Sequence, residues 1–328
     1  MRITYQELLE TFEAILVRRG MAQARACAAL FADTTRDGVA THGVNRFPVF
    51  VGQIDQGDIR VNARPVLVQA MGAFERWDGQ FGPGNLNAVI CMDRAIELAR
   101  GSGVGVVALR DTNHWMRGGT YGLRAAAANC IGICWTNAVA AMPAWGGQDA
   151  RLGNNPLILA LPGDPPVLVD MAMSQFSYGK LQEYRLRGQR LPVAGGYDRD
   201  GALTDDPAAV EATRRVLPAG YWKGSALSMA LDMIAAALSG GNSVADLSAR
   251  FPRETGVSQV FIAFAMDRLD RGWEATVARI KADVRASAPA QAGSAARIPG
   301  ERAALRRADN DRDGIEVDQR IWAFVRQL

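Results

Sequence analysis

The sequence predicts an α/β fold in which buried sheet strands are covered by helices, with further helices added at the amino-terminal end. Three features set that class. VGVVAL at 104–109, TYGLRAAAAN at 120–129 and IGICWT at 131–136 read as buried strand, short helix and buried strand, the pattern of a sheet with helical cover. Two amphipathic helices come before any glycine-rich turn, which rules out the simplest dinucleotide-binding layout, where strand and turn come first. The 328 residues, 48% of them hydrophobic, are enough to bury about three quarters of the unfolded surface. The chain therefore needs neither metal nor disulfide to fold, and two integrated lobes suit its length better than one core.

The first helix covers residues 4–19, where Leu8, Leu9, Phe12, Ile15 and Leu16 form an apolar stripe and Thr4 with Glu7 makes a capping box. A second runs from about Ala22 to Thr35, and a third covers roughly 43–56. Short apolar runs alternate around Gly72 from Val66 to Trp77, and FGPGN at 81–85 is a turn launching a helix with Val89, Met92, Ile96 and Ala99 on one face. After the strand–helix–strand unit, NPLILALP at 155–162 and VLVDMAM at 167–173 are further strands, and 186–210 is an irregular connection. A helix at 222–239 carries Met229, Met233 and Leu238; VFIAFAMD at 260–267 is a strand; 271–287 is an amphipathic helix; and 316–328 is a terminal helix returning toward the first lobe.

Several function classes are excluded by what the chain lacks. Glu7, Glu10 and Glu13 interrupt the apolar stretch a signal peptide needs, so a cytoplasmic location is expected. The longest apolar region, 131–145, is broken by Thr136, Asn137 and Pro143 and is too short for the roughly 18–20 residues of a membrane span. The net charge of +3 is small, and Arg214-Arg215 and Arg306-Arg307 are too short to mark a nucleic-acid face. Cys27, Cys91, Cys130 and Cys134 lack metal-ligand spacing and read as core thiols, with no metal expected. GSGVG at 101–105 has Val106 where the dinucleotide fingerprint needs glycine, and it precedes a strand instead of following one. DNDRDG at 309–314 opens like a calcium loop, but Arg320 occupies the position of the bidentate glutamate, so it reads as a solvated turn.

The residues left to carry chemistry are few. Both histidines lie in polar, glycine-bearing contexts. His42 is followed four residues later by Arg46, which puts the two on one side of a helical stretch. A guanidinium can grip a substrate carboxylate while an imidazolium donates a proton to the neighbouring oxygen. Reduction of a ketone by hydride builds negative charge on the carbonyl oxygen, so His42 suits the proton donor's task, with a structural cap as its alternative. His114, in NHWMRGG, could bond the substrate or orient the donor, or simply be pinned against Trp115; Asn113 and Arg117 could fix further oxygens. Lys223 precedes an apolar helix, where its charge and free backbone donors would favour a cofactor phosphate. Asp170 ends an apolar strand, where a carboxylate needs partners such as a ribose or a neighbouring donor.

Taken together, THGVNRFP, ALRDTNHWMRGGTYG, GICWTNAVAAMPAWGG, RLGNNPL, VLVDMAMSQFSYGK, LPAGYWKGSALSM and the closing IPG resemble the malate/L-lactate dehydrogenase family of the non-Rossmann type, over nearly the whole chain. The resemblance implies a mixed-sheet NAD(P)H-binding lobe and a helical lobe built from both chain ends, divided as 1–75, 76–285 and 286–328. It also implies a homodimer using NADH, with NADPH the alternative. His42 becomes the proton donor. The cofactor stretches map onto Val167, Leu168, Val169, Asp170, Met171, Ala172, Met173 and Ser174, onto Trp222 and Lys223, and onto Gly300, Glu301 and Arg302. The sugar-acid branch of the family implies reduction of 2,3-diketo-L-gulonate at C2, with Arg46 holding the carboxylate; local chemistry, not the resemblance, makes His114 and Arg117 candidates for other substrate oxygens. The alternative substrates are malate, lactate, ureidoglycolate or a cyclic imino acid.

Overall fold

The computed structural model describes every residue except 252, 270, 271 and 292. The chain opens with a short strand, β1 (Arg2–Ile3), and helices α1 (Tyr5–Val17) and α2 (Ala24–Arg36). A single 3-10 turn (Ala40–His42) then leads into α3 (Phe47–Asp55). Thr4 caps α1, its Oγ1 accepting from Glu7 N at 3.0 Å, but the Glu7 side chain does not return the bond, so only half of the expected capping box forms. The predicted stripe is the core of this lobe: Leu8, Phe12, Ile15 and Leu16 are buried with Phe31, Phe47 and Phe50. Phe12 stacks on Phe47 with ring centroids 4.0 Å apart.

The central sheet is assembled from distant parts of the chain. It draws on β2 (Val66–Met71), β3 (Phe74–Asp78), β4 (Val104–Asn113) and β5 (Cys130–Thr136), with α4 (Gly84–Ser102) and α5 (Gly119–Ala127) between them. A small hairpin, β6 (Met142–Pro143) and β7 (Ala150–Leu152), precedes β8 (Leu157–Leu161) and β9 (Val167–Met171). Past β9 lie α6 (Tyr178–Leu186), the hairpin β10 (Gly196–Tyr197) and β11 (Leu203–Thr204), and α7 (Pro207–Thr213). Then come α8 (Trp222–Ser239), α9 (Val244–Arg250), β12 (Thr255–Ala265) and α10 (Trp273–Arg285). The predicted helix 271–287 began at Arg271, which lies outside the described residues.

Strand order is β2-β3-β4-β12-β5-β8-β9. Only β3 and β4 pair in parallel; the other neighbours are antiparallel, so the sheet is mixed. The β4–α5–β5 unit read from sequence is a crossover between parallel strands, but β12 inserts between them and pairs with both. Apolar side chains of α4 and α5 cover one face, with Met92, Ile96 and Tyr121 against Leu109 and Phe261. On the other face Leu231 and Ala235 of α8 pack on Trp135 and Val260. All four cysteines are buried free thiols. The stretch Val66–Met71 joins the sheet, although it falls in the segment 1–75 expected for the helical lobe.

The carboxyl-terminal part closes the helical lobe through α11 (Glu301–Asp313), β13 (Ile315–Glu316) and α12 (Gln319–Val325). β13 pairs antiparallel with β1, and Trp322 and Val325 enter the core around Phe12. The DNDRDG stretch is not a turn. Asp309 to Asp313 form the last part of α11, where Arg312 pairs with Asp309 and Asp313, and Gly314 at φ +83° ends the helix. The helix is anchored to α2, because Asn310 Nδ2 donates to Arg36 O at 2.7 Å.

Candidate active site

One edge of the sheet gathers the chemistry. The carboxyl ends of β4, β5 and β9 and the amino ends of β8 and β12 meet there, since Asn113 pairs with Thr255, Thr136 with Gln259, and Met171 with Leu157. His114 follows β4, Glu254 precedes β12 and Asp170 lies near the end of β9. A belt of buried asparagines fixes this edge. Asn113 donates to Phe81 O and Gly82 O and accepts from Thr255 Oγ1 at 2.6 Å, while Asn137 accepts from Ser258 N at 2.8 Å. Such fully satisfied buried polar contacts hold loops in one geometry.

The helical lobe brings its own residues to this edge. His42 ends the 3-10 turn and Arg46 occupies the cap of α3, so both reach the site on one short segment, as the four-residue spacing suggested. The His42 and His114 rings stack with centroids 5.9 Å apart and planes 10° from parallel. Met116 N donates to His114 Nδ1 at 3.0 Å, so neutral His114 carries its proton on Nε2. That nitrogen lies 4.0 Å from Glu254 Oε2. Glu254, which no motif or spacing along the chain singles out, accepts from Arg46 Nη2 at 2.7 Å.

The electrostatics favour neutral imidazoles in the resting site. Burial lowers the His42 pKa, helped by the cations Arg46 and Arg117 and opposed by Asp170 and Glu254. Burial pushes His114 down to about 3, which agrees with the proton acceptor role of its Nδ1. Burial would raise the Glu254 carboxyl, but His114 and Arg46 outweigh it and hold the group below the ordinary carboxylate range. Arg46 is the permanent cation at this carboxylate, bound to it directly.

Arg117 takes a different position from the one expected for a substrate ligand. Its side chain is 4% exposed and its Nη1 donates to Asp37 Oδ2, with Asp170 Oδ2 3.9 Å from its Nε. Asp37 is also held by Arg307 of α11, 2.7 Å away. Arg117 thus ties both lobes together, and its enclosed side chain offers little surface to a substrate. Asp170 Oδ2 accepts from Gly119 N at 2.8 Å, and a Cβ at Gly119 would lie 2.7 Å from that oxygen and push the carboxylate aside.

The three stretches assigned to the cofactor converge along β9. Leu168 N donates to Pro299 O at 3.0 Å, placing Gly300, at φ +98°, beside the start of the strand. Ala219 N donates to Met173 O at 2.8 Å and Gln175 N to Leu217 O at 2.7 Å, which sets Trp222 and Lys223 beside Ser174. At the opposite end of β9, beside Leu168 and Gly300, a cleft of about 380 Å³ is also lined by Leu123, Pro165, Pro166 and Ala303. Two expectations change here. Most backbone donors at the start of α8 are taken, Lys223 N by Gly220 O, Gly224 N by Ala219 O and Ser225 N by Tyr221 O, so the Lys223 side chain is the main group left to meet an anion. Glu301 pairs with Arg285 and accepts from Ile298 N at 3.0 Å, so it shapes the turn before α11, whereas Arg302 is exposed.

The malate/L-lactate dehydrogenase model matches residues 3–326. The chain belongs to that family. Membership makes it a nicotinamide-dependent oxidoreductase and accounts for a mixed sheet with no glycine fingerprint. A 2,3-diketo-L-gulonate reductase of Citrobacter koseri is 50% identical over 332 residues, covering 100% of both chains. Among solved structures, a dehydrogenase from Sinorhizobium meliloti superposes with a TM-score of 0.88 at 28% identity, covering 99% of this chain and 97% of that one. Malate dehydrogenase from Entamoeba histolytica shares the fold with a TM-score of 0.93 at 24% identity, covering 100% of this chain and 96% of the other. The donor set suits a nicotinamide dinucleotide: a cation at Lys223 for phosphate, the Asp170 carboxylate for ribose hydroxyls, and an apolar cleft beside Leu168 for a flat ring. Among the described residues, no single helix is long and apolar enough to cross a membrane.

Proposed function

We propose that the protein reduces 2,3-diketo-L-gulonate at C2 to 3-dehydro-L-gulonate, with His42 as proton donor. The observation that carries the reading is the meeting of His42, His114 and Arg46 at the sheet edge where β9 ends. Bound NADH supplies the hydride; NADPH is the alternative donor. As hydride reaches C2, charge grows on the carbonyl oxygen, and His42 delivers its proton there. Arg46 holds the C1 carboxylate, for which it has a donor to spare: Glu254 engages Nη2, and Nη1 takes no hydrogen bond among the described residues. His114 offers Nε2–H to a second substrate oxygen. Val167 to Ser174, Trp222, Lys223, Gly300 and Arg302 line the cofactor's path, and Lys223 neutralises its phosphate. Arg117 and Asp170 position His42 and the start of α5.

A second copy of the chain fits the exposed apolar surface. Val66, Leu67, Val68 and Met71 are 44–52% exposed on the outer strand β2, and Trp222, Met229 and Met233 are 48–61% exposed on α8. An unpaired apolar edge strand is covered in most native assemblies, and a homodimer is the assembly we infer.

The test is NADH oxidation followed at 340 nm with fresh 2,3-diketo-L-gulonate, pyruvate, oxaloacetate and a cyclic imino acid in parallel, with product identification to fix the carbon. Preference for the diketo acid is expected. Turnover confined to one of the other substrates overturns the substrate assignment and leaves the hydride mechanism standing.

A further inference from the structure

We propose that Glu254 selects the substrate class of this site: its carboxylate accepts a hydroxyl hydrogen bond from a polyol acid and repels the second carboxylate of a dicarboxylic keto acid. The inference rests on the diketo sugar-acid reading above and adds the residue that enforces it. Glu254 lies at the amino end of β12, its side chain 22% exposed and its Oε2 bound to Arg46 Nη2 at 2.7 Å. Its second oxygen, Oε1, takes no hydrogen bond among the described residues and is not sealed from solvent. A carboxylate therefore stands beside the guanidinium that grips C1, with one oxygen unused.

The remaining groups around the two histidine rings are poor acceptors. Arg46 is donor-only, and His114 presents its proton on Nε2 because Nδ1 is taken by Met116 N. Asp170, the other carboxylate near His42, lies on the cofactor strand β9 itself and has Oδ2 committed to Gly119 N. In the binding mode we propose, a substrate held by Arg46 at C1 and by His42 at C2 extends its remaining carbons past His114, whose Nε2 lies 4.0 Å from Glu254 Oε2, so that Glu254 is their acidic wall. A chain of hydroxyl groups donates to that wall. A terminal carboxylate meets a fixed like charge only partly screened by solvent, which disfavours binding without any steric clash. The discrimination is thus built from one attractive and one repulsive contact on the same side chain.

The experiment is Glu254→Gln, isosteric and uncharged, assayed for kcat/KM with 2,3-diketo-L-gulonate, oxaloacetate and pyruvate. Pyruvate has neither hydroxyl groups nor a second carboxylate, so it reports the Arg46 anchor alone. The expected result is that the oxaloacetate-to-pyruvate ratio rises roughly tenfold or more while the diketogulonate-to-pyruvate ratio falls. All three substrates changing by one common factor would mean that Glu254 only braces Arg46, and the proposal would be overturned. Should the variant not fold, wild-type inhibition carries the test: L-gulonate is expected to inhibit at least tenfold more tightly than malate, and equal inhibition overturns the proposal. Wild-type enzyme that prefers oxaloacetate sinks the substrate reading itself, whereas wild-type preference for the diketo acid with unchanged ratios in Glu254→Gln sinks only the role of Glu254.

Discussion

Arg117→Met separates a substrate ligand from a buried tie between lobes. Removing one partner of a buried ion pair costs about 3–5 kcal/mol, because the other charge is left without compensation. Here the pair is deep, with Arg117 4% and Asp37 9% exposed, but Asp37 keeps a second cation, Arg307 Nε at 2.7 Å. The loss therefore falls at the lower end, about 3 kcal/mol, read from urea unfolding of the cofactor-free protein. A second effect reaches the reaction. Burial is the main cause of the lowered His42 pKa and Arg117 adds to it, so removing the guanidinium raises that pKa. Reduction needs the imidazolium, so the alkaline fall in kcat/KM moves to higher pH in the variant. A double-mutant cycle with Asp37→Asn then gives a coupling of the same sign for stability. Stability unchanged within 1 kcal/mol, with KM for the keto acid raised tenfold or more, would refute this account and return Arg117 to the substrate.

Other substitutions probe the remaining assignments. His42→Gln is expected to lose at least a hundredfold in kcat while NADH binding, followed by its fluorescence, is kept; unchanged turnover removes His42 as proton donor. In the wild type, the His42 pKa lies below its ordinary 6.5, so kcat/KM for reduction falls as pH rises through that lowered value and the oxidation rate rises over the same window. A profile with no inflection anywhere below pH 6.5 contradicts a titrating His42. Lys223→Ala is expected to raise the KM for NADH several-fold and to weaken its salt dependence, with kcat at saturation little changed; an equal KM places the phosphate elsewhere. Trp322→Ala opens the core of the helical lobe, where the ring is 1% exposed, and is expected to cost about 3–5 kcal/mol; a loss below 1 kcal/mol would mean that the terminal helix does not hold the lobe together.

The apolar helices were legible because their signal is local. The stripe from Leu8 to Leu16 and the Thr4 cap both appear in the structure as read. Helix α11 was missed for the opposite reason: ERAALRRADNDRD carries no apolar stripe, and none of its residues is buried. Its position is held by Arg307 on Asp37 and by Asn310 on the end of α2, partners some 270 residues away in sequence. No periodicity records such contacts. The expected donors at the start of α8 failed because the preceding turn, with Gly220 and Tyr221 at positive φ, folds its own carbonyls back onto them.

The sequence by itself determined the class of the fold, the absence of a glycine fingerprint, and the small set of polar residues from which a site could be made. His42 and Arg46 were recognisable because four residues of local chain fix their relation. What only the tertiary structure decided was which distant residues join them. Insertion of β12 between β4 and β5 carries Glu254 to His114 across 140 positions, and the return of α11 turns Arg117 inward onto Asp37. Strand pairing and buried charge compensation are long-range free-energy terms, and the order of residues along the chain does not encode them locally.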